Sequence, residues 1–171
     1  YSNSKTINDK SINEIDKALM ISPNEPIYIS QKAFLAADIE LSFNALDLAP
    51  YNQNIIKVVI NNLVKNSDEV SENLLLAEKI LLSSIEKAPN DPRLYYQLGI
   101  VQLKVNKNDE AIQSLQKSVE LKDNYKEGRF ALGITYEALK ENEKAIKEFE
   151  YILENIDPND ELTKKYLDKL K

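Results

Sequence analysis

Carboxylates are the chain's most abundant reactive groups, and two clusters concentrate oxygen ligands: Asn90-Asp91-Pro92 and Asp157-Pro158-Asn159-Asp160. Neither has the length or ligand spacing of a calcium-binding EF-hand loop, and both stand where a side-chain oxygen caps a helix. A second group, Glu141, Glu143, Glu148 and Glu150, interleaves with Lys144 and Lys147, the pattern of a solvated helix face. The sequence has no His and no Cys, so the commonest general base and the thiolate nucleophile are missing. It also lacks the GxxxxGK[ST] and GxGxxG phosphate loops. No spacing demands catalysis, and the expectation is a non-enzyme without cofactor or metal.

Elements of a helical kind must carry these residues. Of 171 residues 43% are hydrophobic, enough for a sizeable core in one domain or one continuous repeat array. The net charge of −6 speaks against a general nucleic-acid surface. No run of about 18 apolar residues is present, so these residues do not insert directly into a membrane. Without Cys the redox compartment stays undecided, and the compartment itself is unknown. Tyr1 in place of Met, with no leader-like sequence after it, reads as a fragment or processed chain.

Periodicity organises the second half. Leu98-Gly99-Ile100 returns 34 residues later as Leu132-Gly133-Ile134, Asn108 as Asn142, Ala111-Ile112 as Ala145-Ile146 and Leu115 as Phe149. Such a period marks stacked helical hairpins. Gly99 and Gly133 would admit close approach of the second helix, with Ala111 and Ala145 answering from the other side. Two departures stand out: Arg129 where the first unit has Tyr95, and Asp123 where it has the closing Pro89.

Prolines after helix-forming runs mark the other junctions, at Pro23, Pro50, Pro89 and Pro158, because Pro lacks the amide donor a helix interior needs. Their spacing is uneven, 27 residues from Pro23 to Pro50 and 39 from Pro50 to Pro89. In the longer unit, helices over Gln53 to Lys65 and Glu72 to Lys87 are expected, joined by a polar segment near Asn66 to Ser71. In the shorter, Pro26 to Ala49 has no Gly or Pro break and reads as a hairpin turning near Ala37-Asp38 or as one bent helix, the hairpin being preferred. Ile12, Ile15, Ala18 and Leu19 form one face of an opening helix whose first-helix partner is missing, which implies chain upstream. At the other end, Asp160 caps a last helix with an apolar face of Leu162, Tyr166, Leu167 and Leu170, while Lys164, Lys165, Lys169 and Lys171 meet water.

The units Tyr95-x2-Leu98-Gly99-x2-Gln102…Ala111-x3-Leu115 and Arg129-x2-Leu132-Gly133-x2-Tyr136…Ala145-x3-Phe149…Pro158 resemble the tetratricopeptide repeat (TPR). The resemblance implies an all-α, right-handed α-solenoid of antiparallel helical hairpins, a TPR superhelix filling residues 1–171 as a single domain. Its expected parts are an incomplete repeat at 1–23, a short one at 24–50, an enlarged one at 51–89, regular repeats at 90–125 and 126–159, and a capping helix at 160–171. Leu98, Gly99, Ala111, Leu132, Gly133, Tyr136, Ala145 and Phe149 take the packing positions.

In this family the first helices line a concave groove that receives an extended peptide or a partner helix. The groove positions fall on Asn54, Lys57, Asn61 and Lys65; on Arg93, Tyr96, Gln97, Ile100 and Lys104; and on Glu127, Phe130, Ile134 and Glu137. Tyr96, Ile100, Phe130 and Ile134 then offer apolar anchors, and Lys57, Arg93 and Lys104 partners for carboxylates. For Tyr96 and Phe130 a second reading stands beside this one, in which they fill the groove against an intramolecular element. Lys57 and Asn61 occupy two positions of the carboxylate clamp of chaperone-binding TPR domains. Gln97, Glu127 and Ala131 break the rest of it, which makes recognition of chaperone tails improbable.

The implied function is a protein-interaction scaffold for a protein or peptide ligand. A second resemblance rests on Ala45-Leu46-Asp47-Leu48-Ala49-Pro50-Tyr51-Asn52 followed by the enlarged unit, which is similar to the TPR tails of bacterial O-antigen ligase or polymerase membrane proteins. It implies a docking or regulatory tail, tethered at a bacterial membrane, whose glycosyl-transfer part is absent here. Otherwise the resemblance fits a soluble, cytoplasmic domain. A third reading is self-association through the N-terminal half-repeat.

Overall fold

The computed structural model describes residues 2–65 and 72–171. Ten helices follow one another among them: α1 (Ser2–Ile21), α2 (Pro26–Ala36), α3 (Ile39–Leu48), α4 (Gln53–Lys65), α5 (Glu72–Lys87), α6 (Pro92–Lys104), α7 (Asn108–Leu121), α8 (Lys126–Ala138), α9 (Asn142–Asn155) and α10 (Glu161–Leu170). No described residue is in a strand. The chain divides into two compact units, Tyr1–Ala77 and Glu78–Lys171. The joining segment expected at Asn66 to Ser71 lies outside the described residues.

Local chemistry accounts for the helix starts. Pro26 and Pro92 open α2 and α6, where a missing amide costs nothing because the first helical amides have no internal partner. Asp38, Asn52, Asp91 and Asp160 cap the following helices, their side-chain oxygens accepting from Leu41 N at 2.9 Å, Asn54 N at 3.0 Å, Arg93 N at 3.0 Å and Leu162 N at 3.1 Å. The two oxygen-rich clusters of the sequence thus supply caps. Asn52 ends the run 45–52 as the cap of α4, so that run builds the α3–α4 junction.

Between the helices of three hairpins a non-glycine residue adopts the left-handed conformation: Ala37 (φ 52°), Asn106 (φ 61°) and Lys140 (φ 62°). Segment 26–49 is therefore two helices that reverse at Ala37, whose amide reaches back to the Phe34 carbonyl. That turn is tied from outside. The Asn62 side-chain amide, fully buried on α4, donates to the carbonyls of Ala33 (3.1 Å) and Asp38 (3.2 Å).

In the first unit Ile29, Ala45 and Ile55 form a buried cluster, with Leu19 of α1 and Leu41, Leu46 and Ala49 packed against it. Helix α1 lies against α2, while Met20 and Ile21 at its end are exposed. The second unit centres on Leu115, Leu132, Tyr136, Ala145, Phe149 and Leu167. There a Cβ built on Gly99 would fall 2.7 Å from Leu115 Cγ, and one on Gly133 2.6 Å from Phe149 Cε1. These distances are too short for any side chain, so the backbones of α6 and α8 meet the α7 and α9 side chains directly.

Three expectations are corrected. Leu162 is not part of the buried face of α10, being 54% exposed; Thr163 takes that place, fully buried, its hydroxyl donating to Asp160 Oδ2 at 3.0 Å. The α10 lysines do not simply face water: Lys169 pairs with Glu137 at 2.6 Å, Lys171 with Glu150 at 2.8 Å and Lys164 with Glu161 at 2.8 Å. Glu148 is likewise no solvated carboxylate, for reasons that lie with Arg129.

Candidate functional site

The first-helix faces carry the expected groove residues, and the two units treat theirs differently. On α4, Asn54, Lys57 and Lys65 are exposed and Asn61 is half-buried. Asn54 sits at the mouth of an apolar cleft of about 450 Å³ bounded by α1, α2 and α4. Its walls are Ile15, Ile27, Phe34, Leu35, Ile55 and Val58, with Ser30 and Gln31 supplying polar edges. Ile27 and Phe34 are 49% and 43% exposed, an unusual degree for large apolar side chains that line one hollow. Lys65 Nζ lies over the Phe34 ring, 4.9 Å from its centroid.

In the second unit the equivalent face is largely used up by the chain itself. The Phe130 ring meets Tyr166 of α10 edge to face at 5.5 Å and Phe149 of α9 at 5.7 Å. Ile134 packs against the same core, and Glu137 is held by Lys169 of α10. Tyr96 is half-buried and meets Tyr125 edge to face at 5.6 Å; burial and the nearby Glu127 carboxylate push both phenols above their ordinary pKa, so they stay neutral hydrogen-bond donors. Arg93 folds back on its own cap, Nη2 2.7 Å from Asp91 Oδ2, which holds the Asp91 carboxyl below the usual range. Gln97 and Ile100 are half-buried, and Lys104 and Glu127 are exposed. The remaining packing positions, Leu98, Ala111, Leu132, Tyr136 and Ala145, are all buried.

Sequence reasoning overlooked the cluster around Arg129, which is only 8% exposed. Arg129 Nε donates to the Asp123 carbonyl at 2.7 Å, Nη2 pairs with the Asp123 carboxylate, and Nη1 pairs with Glu148 of α9 at 2.8 Å. The Tyr151 ring stacks on the guanidinium, 3.4 Å from its carbon, and the Tyr151 hydroxyl donates to Asp123. The register is the informative part. In the preceding hairpin the Tyr95 hydroxyl donates to the Pro89 carbonyl at 3.0 Å, six residues upstream, the same separation as from Arg129 to Asp123. The lost aromatic and the lost proline are therefore one compensated exchange, and their co-occurrence 34 residues after Tyr95 and Pro89 was the available signal. Among the described residues no group of three or more Asp or Glu side chains is placed to hold a metal ion. None of their helices is long and apolar enough to cross a membrane.

Fold and sites together define a protein of stacked helical hairpins with close glycine contacts and no assembled reactive centre among the described residues. A family model described as Tetratricopeptide repeat matches residues 78–171, and the chain belongs to the tetratricopeptide repeat family. It is 36% identical over 97 residues to the anaphase-promoting complex subunit CDC16 of Saccharomyces cerevisiae, a match that takes in 53% of this chain and 12% of that protein. The chain thus spans about an eighth of that relative's length. Among solved structures it is similar to a thermophilic TPR protein of Thermus thermophilus, with a TM-score of 0.81 at 20% identity over 95% of this chain and 90% of that one. It is also similar to YrrB, a TPR protein with an unusual peptide-binding site, with a TM-score of 0.64 at 20% identity over 98% and 86% of the two chains.

Proposed function

We propose that this chain is a protein-interaction scaffold that takes a peptide or helix on the first-helix faces of its hairpins. The observation that carries the reading is the open cleft of the first unit. Two large apolar side chains, Ile27 and Phe34, stay half in water beside a hollow with polar edges, the composition of a site where an apolar side chain is buried and a backbone is hydrogen-bonded. Support comes also from the family, in which YrrB is described as having a peptide-binding site. For the second unit the reading gives Phe130 and Glu137 to α10, their present neighbour, and leaves Tyr96, Gln97, Ile100 and Lys104 as the ligand-facing residues. The scaffold works without catalysis.

A library of random 12-residue peptides displayed on phage and selected on the 171-residue chain tests this. Enriched peptides should lose binding to Phe34→Ala and to Tyr96→Ala while keeping it on Leu162→Ala, a change on the exposed face of α10. Equal binding to all three variants would remove the first-helix faces from the ligand site.

A further inference from the structure

The cleft of the first unit sits in an uneven field. None of the residues lining it is charged. The carboxylates of α1 near it are already matched, Asp16 by Lys32 at 2.7 Å and Glu14 by Lys17 at 2.8 Å. On the α4 side, Lys65 stands over the outer face of Phe34 and makes no ion pair among the described residues, and Lys57, also exposed, makes none either. A chain of net charge −6 thus keeps a local positive surplus beside its most apolar hollow.

We infer that the cleft recognises a peptide segment in which a bulky apolar residue is accompanied by an Asp or Glu within about four residues. The inference rests on the scaffold reading and names the ligand for it. An apolar side chain lodged against Ile27, Ile55 and Val58 lies alongside Phe34, and the Lys65 ammonium is 4.9 Å from the centre of that ring. One step of extended chain spans roughly 3.3–3.6 Å and one helical turn brings side chains within about 5–6 Å, so a carboxylate placed in that window reaches the ammonium. The volume of about 450 Å³ falls in the range of pockets that bury a ligand group. Complementary charge at the rim then selects among apolar segments that the cleft alone would accept equally. Segments with Lys or Arg in that window are disfavoured by the same surplus.

Sequencing the peptides enriched on the intact chain gives the first readout, and their affinities for Lys65→Glu and Phe34→Ala the second. The expected result is an Asp or Glu within four residues of a Leu, Ile, Met, Phe or Trp. A fluorescein-labelled peptide of that pattern should bind Lys65→Glu roughly five- to tenfold more weakly, and its Glu→Lys version should recover on that variant. Cleft-dependent peptides with no charge preference, or with a basic one, would overturn the inference and leave the scaffold reading standing. Failure to enrich any peptide sensitive to Phe34→Ala would sink both. Concentration-dependent self-association in sedimentation that Phe34→Ala abolishes would give the cleft to a second copy of the chain and overturn the peptide assignment. Lys65 is exposed at the end of α4, and circular dichroism of its variant should match the parent.

Discussion

The α6–α7 and α8–α9 hairpins share a 34-residue period and the same backbone geometry, yet they hold their junctions together with different chemistry. In the first, Tyr95 reaches the Pro89 carbonyl with a single neutral hydrogen bond, local to the turn. In the second, Arg129 makes the equivalent bond to Asp123 and then continues to Glu148 on α9, while Tyr151 of α9 returns to Asp123. What the repeat preserves is a donor at one position and a carbonyl six residues upstream. A ring and a proline satisfy that geometry cheaply. A guanidinium and an aspartate also satisfy it, and add a tie to the second helix whose buried portion must stay paired.

The comparison is broken most severely at the glycines. Gly133→Leu should cost about 3 kcal/mol or more and Gly99→Leu roughly 1–3, both by overpacking, because the rigid Phe149 ring yields less than the rotatable Leu115 side chain. Urea unfolding should give that order; equal midpoints would mean the two contacts are equally adaptable. Next, Arg129→Ala should destabilise by roughly 1–3 kcal/mol by stranding Glu148, against about 0.5–1 for Tyr95→Phe. If the exchange is truly compensated, Asp123→Pro combined with Arg129→Tyr should lose less stability than Arg129→Tyr alone, and a double-mutant cycle measures the difference.

Acidity separates the junctions a third way. The Tyr151 hydrogen bond first, and the Arg129 ion pair after it, hold the Asp123 carboxyl below its ordinary value, against a small opposing effect of desolvation. A depressed folded-state value contributes stability that is present above the unfolded value of about 3.9 and disappears as pH falls through the folded one. Thermal midpoints of the parent and Asp123→Asn should therefore differ at pH 6 and converge toward pH 2, whereas Tyr95→Phe should show a pH-independent gap. The smallest effect concerns the turns. Lys140→Gly should stabilise by a few tenths of a kcal/mol and Asn106→Gly by less, since Asn tolerates the left-handed conformation better than Lys.

Much of the architecture was legible because helical hairpins write themselves in local signals. Pro26, Pro92 and the Asp and Asn caps mark starts, and α4 and α5 occupy the residues that apolar spacing assigned to them. Of the candidate site, the faces were legible and the occupants were not. Phe130 and Glu137 meet Tyr166 and Lys169, more than 30 residues onward, and no periodicity within a hairpin announces such a contact. The cleft needs α1, α2 and α4 together, so Phe34 and Ile27 drew no notice as surface residues of a short helix. Arg129 was misread for a related reason. A repeat template registers a missing aromatic, whereas the physical requirement was a donor, and Glu148 could not be recognised as its partner before α9 was in place.

The Asn62 amide has a consequence for the dynamics of the first unit. It holds carbonyls on both sides of the Ala37 reversal, so the α2–α3 turn cannot open by itself without stranding the amide in the interior of α4. The amide of Asp38, which donates to the Ala33 carbonyl at 2.9 Å, should then exchange with deuterium on the timescale of α4 and not on that of a surface turn. A single side chain in this way makes three helices one cooperative unit of unfolding.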